Sequence, residues 1–319
     1  MKKLFALALL LLAILCASCG KEEKLTVGSV IFEATNEWFV EATAGMEAAA
    51  KDLNVNLSKS DSRYDVAVER DLIGEQIKKK AGAIVICPLT VAESGAALKE
   101  ATELGIPVVT WNSVVEPPPT AQIIVDSSVL GSATGDYLRE HVAKNDIQKL
   151  KGAFIIDTTF SIGIARCDGF RKSVKPLIDS GVLEVVTETK GNLHEETSVT
   201  VEKMLKERPD INFIWCWNQM TTMATVDVLK RLNRPDIILA GTDMSISLAE
   251  EMLGSEVNLI AITTQQPYQM GYQAVTTAVK AAKGETVEGT LIIPTLTYTK
   301  EEPDALREYI QTHQKYVKN

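Results

Sequence analysis

Leu25-Thr26-Val27-Gly28-Ser29-Val30-Ile31-Phe32 is followed a few residues later by Glu37-Trp38-Phe39-Val40-Glu41-Ala42-Thr43-Ala44-Gly45-Met46-Glu47-Ala48-Ala49-Ala50-Lys51-Asp52-Leu53. The first run is short and apolar and reads as a strand. In the second, Phe39, Ala42, Met46, Ala49, Ala50 and Leu53 fall on one helical face. The change of period marks a strand feeding a helix. The same unit recurs along the chain. Strands are predicted at Val55–Leu57, Ala83–Cys87, Ile106–Thr110 and Gln122–Val125, and helices at Ala67–Lys79 and Ala92–Leu104.

After Asp126 the pattern starts afresh. Helices are predicted at Val129–Val142, Ile162–Ile178, Glu195–Lys206, Met220–Leu232, Ile246–Met252, Tyr268–Ala282 and Glu302–Lys315. The strands between them are Gly152–Ile156, Val182–Thr187, Ile211–Trp217, Asp236–Ala240 and Asn258–Ile262, and Leu291–Thr297 reads as extended. Strand and helix in strict alternation build parallel sheets covered by helices on both faces. Two successive sets therefore predict an α/β chain of two doubly wound parallel-sheet lobes. No Gly/Ser-rich or Pro-rich linker separates them. Pro117-Pro118-Pro119 lies inside the first set and is too short for a hinge.

The N-terminus points outside the cytoplasm. Lys2 and Lys3 precede an apolar run, Leu4–Leu15, and small residues lead into polar Lys21-Glu22-Glu23-Lys24. That is the build of a secretory signal, and the run is short of the ~20 residues of a membrane span. Ala17-Ser18-Cys19 resembles a bacterial lipobox, with Cys16 where an aliphatic residue is usual. The resemblance implies a signal peptide at 1–18, lipidation of Cys19 and a tether at 19–24. An ordinary cleaved signal with Cys19 unmodified is the alternative.

Losing residues 1–18 removes two lysines and no acid, which takes the formal charge from −9 to −11. No basic run suits a phosphate backbone, so nucleic acid is not an expected partner. Cys87, Cys167 and Cys216 show no CxxC or metal spacing. Cys87 and Cys216 sit in apolar runs, which predicts buried free thiols; a Cys167–Cys216 disulfide stays open as an alternative. The three histidines have no catalytic neighbours, and GxGxxG, GxSxG and GxxxxGK[ST] are absent. Neither an enzyme, nor a cofactor, nor a metal is expected.

Ligands of open α/β sheets bind outside the carboxyl ends of strands. Those ends carry Asn36, Trp38 and Phe39; Asn112 and Ser113; Asp157, Phe160 and Arg166; Asn218; Asp243; and Gln265. Amides and a few charges pair with hydroxyls, while aromatic faces cover the C–H side of a sugar ring. Caps and packing compete at several positions. Asn36 and Asn218 stand where helix N-caps belong, Asp243 could cap Ile246–Met252, Phe39 lies on a core stripe, and Arg166 could pair with Asp168 or Glu195. Asp126 reads as a hinge or turn residue.

From about Leu25 to Thr299 the chain resembles the ribose/galactose branch of the periplasmic binding proteins. The resemblance rests on Asn36-Glu37-Trp38-Phe39, Ile84–Pro88, Gly105–Thr110, Asp126–Gly131, Ala165–Phe170, Trp217-Asn218-Gln219, Gly241-Thr242-Asp243 and Gln265-Gln266-Pro267, in that order. It implies the type I fold, with lobes at 25–127 plus 266–295 and 128–265 plus 296–319. It also implies a three-strand hinge near Asp126–Ser128, Gln265–Gln266 and Thr295–Thr297. It carries ligand roles onto Asn36, Trp38, Phe39, Arg166, Asn218, Asp243 and Gln265. The chain departs from it at Cys87, usually asparagine, and at Asn112 and Ser113, where ribose binders have aspartate and arginine. A second aromatic wall near Asn192 is lacking unless Phe160 or Leu193 supplies it. The implied role is a monomeric, lipid-anchored protein that captures a small sugar or polyol for the permease of an ABC importer. A sensor presenting a sugar or furanose signal to a chemoreceptor or sensor kinase is the alternative.

Overall fold

A computed structural model describes residues 24–317; the signal segment, Cys19 and most of the tether lie outside the described residues. The first sheet contains β1 (Thr26–Ile31), β2 (Asn56–Asp61), β3 (Ala83–Ile86), β4 (Val108–Trp111), β5 (Ala121–Ile124) and β11 (Thr290–Ile292). Its spatial order is β2-β1-β3-β4-β5-β11, all parallel. The second contains β6 (Leu150–Ile156), β7 (Leu183–Lys190), β8 (Phe213–Cys216), β9 (Ile238–Thr242), β10 (Asn258–Thr264) and β12 (Leu296–Thr299). Its order is β7-β6-β8-β9-β10-β12, and only β12 runs antiparallel.

The helices are α1 (Glu37–Asp52), α2 (Val66–Lys78), α3 (Ala92–Glu103), α4 (Ser127–Lys144), α5 (Ser161–Asp179), α6 (His194–Glu207), α7 (Gln219–Arg231), α8 (Ile246–Leu253), α9 (Pro267–Ala282) and α10 (Pro303–Val317). They cover both faces of both sheets, so β3 and β8 are buried along their whole length. One face of the first sheet packs Val27, Val85 and Val109 on Met46 of α1 and Met270 of α9. The other packs Val30, Ile84 and Ile86 on Ile73 and Leu98 of α2 and α3. The second sheet has the same two-faced core.

Glycines set the closest helix crossings. A Cβ on Gly131 of α4 would lie 1.9 Å from Arg166 O on α5, and one on Gly169 of α5 would lie 2.0 Å from Ser128 O. Backbones can approach this closely only where no side chain intervenes. The pair seats α5, and hence Arg166, tightly on α4.

The chain passes between the sheets three times. It leaves β5 at Val125–Asp126 for α4, which packs on α5 and against β9 and β10. It returns through Gln265–Gln266 to α9, which packs on α1. It crosses again at Ile293–Thr295, between β11 and β12. Leu291–Thr297 is therefore not one extended segment, as its sequence suggests. Ile293 N–H is the last to bond the first sheet, donating to Ile124 O at 2.8 Å. Pro294, which has no N–H to donate, follows, and the pairing changes sheet. β2 also runs longer than its apolar residues indicate. Its sequence, Asn56–Asp61, is polar because it forms a sheet edge.

Candidate functional site

In both sheets the strand order reverses beside the first strand, at β1/β3 and at β6/β8. This switch point opens a crevice at the carboxyl ends. The two crevices face one another and form a cavity of about 450 Å³.

The first lobe lines it mainly with rings. Asn36 caps α1, with Trp38 N–H donating to its Oδ1 at 2.9 Å. The cap starts the helix so that Trp38 and Phe39 stand at its mouth. Trp38 stacks on fully buried Trp111 at 5.6 Å between centroids and 16° between planes. Phe39 packs edge-on to Trp38 at 4.9 Å and to Phe32 at 4.8 Å, and Phe32 meets Tyr64 at 5.0 Å. Asn112, in the left-handed region at φ 64°, reaches Cys87 Sγ with its Nδ2 at 3.7 Å. Burial pushes the Cys87 thiol well above its ordinary value, so the thiol itself stays uncharged. Loop 88–90 is pinned by Glu69, whose Oε2 accepts from Leu89 N–H at 3.0 Å and whose Oε1 accepts from Ser94 Oγ.

The second lobe supplies the charge. Arg166 on α5 is only 3% exposed. Its Nη1 donates to Asp243 Oδ2 at 2.6 Å, Trp217 O at 2.8 Å and Thr242 Oγ1 at 3.1 Å. Its guanidinium carbon lies 5.7 Å from the centre of the Trp217 ring. Gln265 Nε2 donates to Asp243 Oδ1 at 3.1 Å, joining the hinge to the pair. Asn218 closes a capping box on α7 and turns its Nδ2 to Asn192 Oδ1 at 3.2 Å. Buried charges are retained where they are paired and hydrogen-bonded, and the Nε of Arg166 is buried without a partner. This polar group sits opposite an aromatic wall, an arrangement suited to a small, neutral, hydroxyl-rich molecule.

Ten of the eleven positions singled out in the sequence line this cavity: Asn36, Trp38, Phe39, Asn112, Ser113, Phe160, Arg166, Asn218, Asp243 and Gln265. Asp157 does not. It is 6% exposed, and its carboxylate accepts from Thr159 N–H at 2.8 Å and Phe160 N–H at 3.0 Å, holding the turn into α5. Asn36 and Asn218 both cap a helix and line the cavity, so those two roles do not compete. The cap of α8 is Ser245, not Asp243, and Asp168 pairs with Arg171, not Arg166. Cys87, Cys167 and Cys216 are buried and free, so no Cys167–Cys216 disulfide is present. Among the described residues no group of three or more His, Cys, Asp or Glu could hold a metal, and no helix is long and apolar enough to cross a membrane.

A family model described as a periplasmic binding protein domain matches residues 27–286. The chain belongs to that family. The ABC transporter periplasmic-binding protein YphF of Escherichia coli strain K12 is 25% identical over 321 residues, 96% of this chain and 95% of its own. The ribose import binding protein RbsB of the same strain is 24% identical over 294 residues, 90% of this chain and 95% of its own. An ABC transporter periplasmic solute-binding protein from Actinobacillus succinogenes, solved with bound D-allose, superposes with a TM-score of 0.79 at 18% identity. That superposition covers 88% of this chain and all of the other, and it shows the shared fold.

This periplasmic binding protein also lines its cavity with residues the sequence reading passed over. Phe32, Tyr64, Ile162, Asn192, Trp217 and Met220 all contribute. Trp217 ends a buried strand run, which gives no hint that its ring lies against Arg166. Phe160 supplies an aromatic face on the second lobe, whereas Leu193 is not part of the lining.

Proposed function

We propose that this chain is an extracytoplasmic substrate-binding protein, lipid-anchored at Cys19, which captures a small sugar or polyol and delivers it to the permease of an ABC importer. Its lobes are 25–127 with 266–295 and 128–265 with 296–319, hinged at the three crossings and working as a monomer. The observation that carries this reading is the buried Arg166–Asp243 pair facing the Trp38–Phe39 wall across one cavity. Arg166, Asn218, Asp243 and Gln265 bind hydroxyls from the second lobe and hinge. Asn36, Trp38, Phe39, Asn112 and Ser113 close from the first, with Phe160 opposite them. The relatives' names agree in kind, since one is a ribose import binding protein and one was solved with bound D-allose.

Thermal unfolding of the purified chain against a panel of sugars and polyols tests this. Ligand adds RT ln(1 + [L]/Kd), so a micromolar binder at millimolar concentration stabilises by about 4 kcal/mol. No shift with any carbohydrate, alongside a shift with nucleosides or amino acids, overturns the sugar reading. Metabolic labelling with a fatty acid, lost in Cys19→Ser, tests the anchor.

A further inference from the structure

Helix α1 carries two carboxylates one turn apart, Glu37 and Glu41, and both reach chain that is distant in sequence. Glu37 Oε1 accepts from the N–H of Ile246, first residue of α8, at 3.1 Å. Glu41 is 8% exposed; its Oε1 accepts from Tyr268 N–H at 3.4 Å and lies 2.9 Å from His313 Nε2 on α10. α10 packs on α8, and its Leu306 and Tyr309 belong to a core of the second sheet. The Glu41–His313 contact therefore joins the two lobes.

The other ring nitrogen, His313 Nδ1, is 2.7 Å from Tyr309 O. Both nitrogens face acceptors. A neutral imidazole has one N–H and satisfies one of them, whereas the imidazolium donates to both. The ring is stacked on Tyr309 at 3.7 Å between centroids. It borders a second cavity, of about 270 Å³, which shares Gln265 with the cleft and through which solvent can reach the pair once it parts. Glu37 stands between Asn36 and Trp38, and Ile246 follows Asp243 by three residues. The contacts of α1 with α8 and α10 thus draw together the segments that bear the cleft residues of each lobe.

We propose that Glu41 and His313 form a protonation-dependent clasp between the lobes, which when charged holds them together and favours retention of ligand. Its effect on affinity rests on the cleft being the binding site; the clasp itself does not. Burial pulls His313 down, but the hydrogen bond and charge of Glu41, the bond to Tyr309 O and the charge of Glu37 outweigh it and hold its pKa above 6.5. A folded value above the unfolded one stabilises fully below the ordinary histidine value, and the effect is lost as pH rises through the folded value. The surrounding tyrosines do not compete. Burial pushes Tyr268, Tyr298, Tyr309 and Tyr316 above their usual range. The charges that act on this group of rings are Glu37 and Glu41 of α1, Asp243 beyond β9 and Glu308 of α10.

The chain has three histidines, so its imidazoles can be resolved by proton NMR. One should titrate above 6.5, vanish in His313→Asn and move down in Glu41→Gln, which keeps an oxygen for Tyr268 N–H. Small-angle scattering of the ligand-free chain should show the radius of gyration rising over the same pH range. That rise should be absent in both variants. With D-allose as probe, the wild-type Kd should rise ~5-fold from about pH 5.5 to about pH 9, the low end of allosteric couplings. His313 titrating at or below 6.5, or variants that follow the wild-type scattering curve, would overturn the clasp. A scattering step without binding of any sugar would support the clasp and remove the sugar reading instead.

Discussion

Asp243→Asn is the sharpest perturbation of the cleft. Asp243 occupies the left-handed region at φ 64°, which Asn tolerates as well as Asp, so the substitution changes charge with little backbone cost. It leaves the Arg166 guanidinium, 3% exposed, with an amide oxygen, Trp217 O and Thr242 Oγ1 as acceptors and no counter-charge. Removing one partner of a buried ion pair costs about 3–5 kcal/mol. The remaining neutral acceptors place the loss at the low end, ~3 kcal/mol, or roughly a hundredfold in the folding constant. Urea unfolding followed by tryptophan fluorescence measures it, with an unchanged slope confirming that stability alone has moved. Adding Arg166→Met to Asp243→Asn should recover much of the loss, because a pair replaced by neutral groups is often close to neutral in stability. A single variant within ~1 kcal/mol of wild type, or a double variant no better than the single, would refute the view that Asp243 compensates a buried charge.

Trp38→Ala should weaken sugar binding by about 2 kcal/mol, roughly thirtyfold, as expected of an aromatic anchor that ligand covers; an unchanged calorimetric Kd would remove Trp38 from the site. Asp157→Ala should cost ~1 kcal/mol of stability, the net worth of a hydrogen bond holding the turn into α5, and leave Kd unchanged; a tenfold affinity loss would put Asp157 in the binding set. Gly131→Ala should lower stability and weaken binding together, because the new Cβ would press on the backbone of Arg166; wild-type behaviour in both assays would contradict the close crossing. Burial pushes Cys216 up to about 12 and raises Cys87 and Cys167, so these thiols should resist alkylation at about pH 8 until urea is added. Rapid labelling of the native chain would contradict their burial.

The parts of this molecule that follow from period were legible in its sequence. Phe39, Met46 and Ala50 announced a helix because burial imposes its spacing, and the loops after Ile31, Ile156 and Cys216 followed from where strands end. Asn36, Arg166, Asn218 and Asp243 could be picked out by that rule together with the family resemblance. Partnership could not. Arg166 and Asp243 are 77 positions apart, and nothing local tells Arg166 to prefer Asp243 over nearby Asp168. Asp157 follows a strand as the cleft residues do, and the sequence does not show that its carboxylate is taken up by the Thr159 and Phe160 N–H groups of the turn. Trp217 looked like core because a ring buried against a guanidinium is as apolar in sequence as one buried against leucine. Thr290–Thr299 hid a change of sheet, since extended residues carry no mark of which neighbour they pair with.

The central claim is that a sugar or polyol is held between the two lobes. A crystal structure of the chain with the carbohydrate that stabilises it most tests this directly. The ring should lie against Trp38 and Phe39, with hydroxyls within hydrogen-bonding distance of Arg166, Asn218 and Asp243. A carbohydrate seated anywhere else, with the Arg166–Asp243 pair untouched, would contradict it.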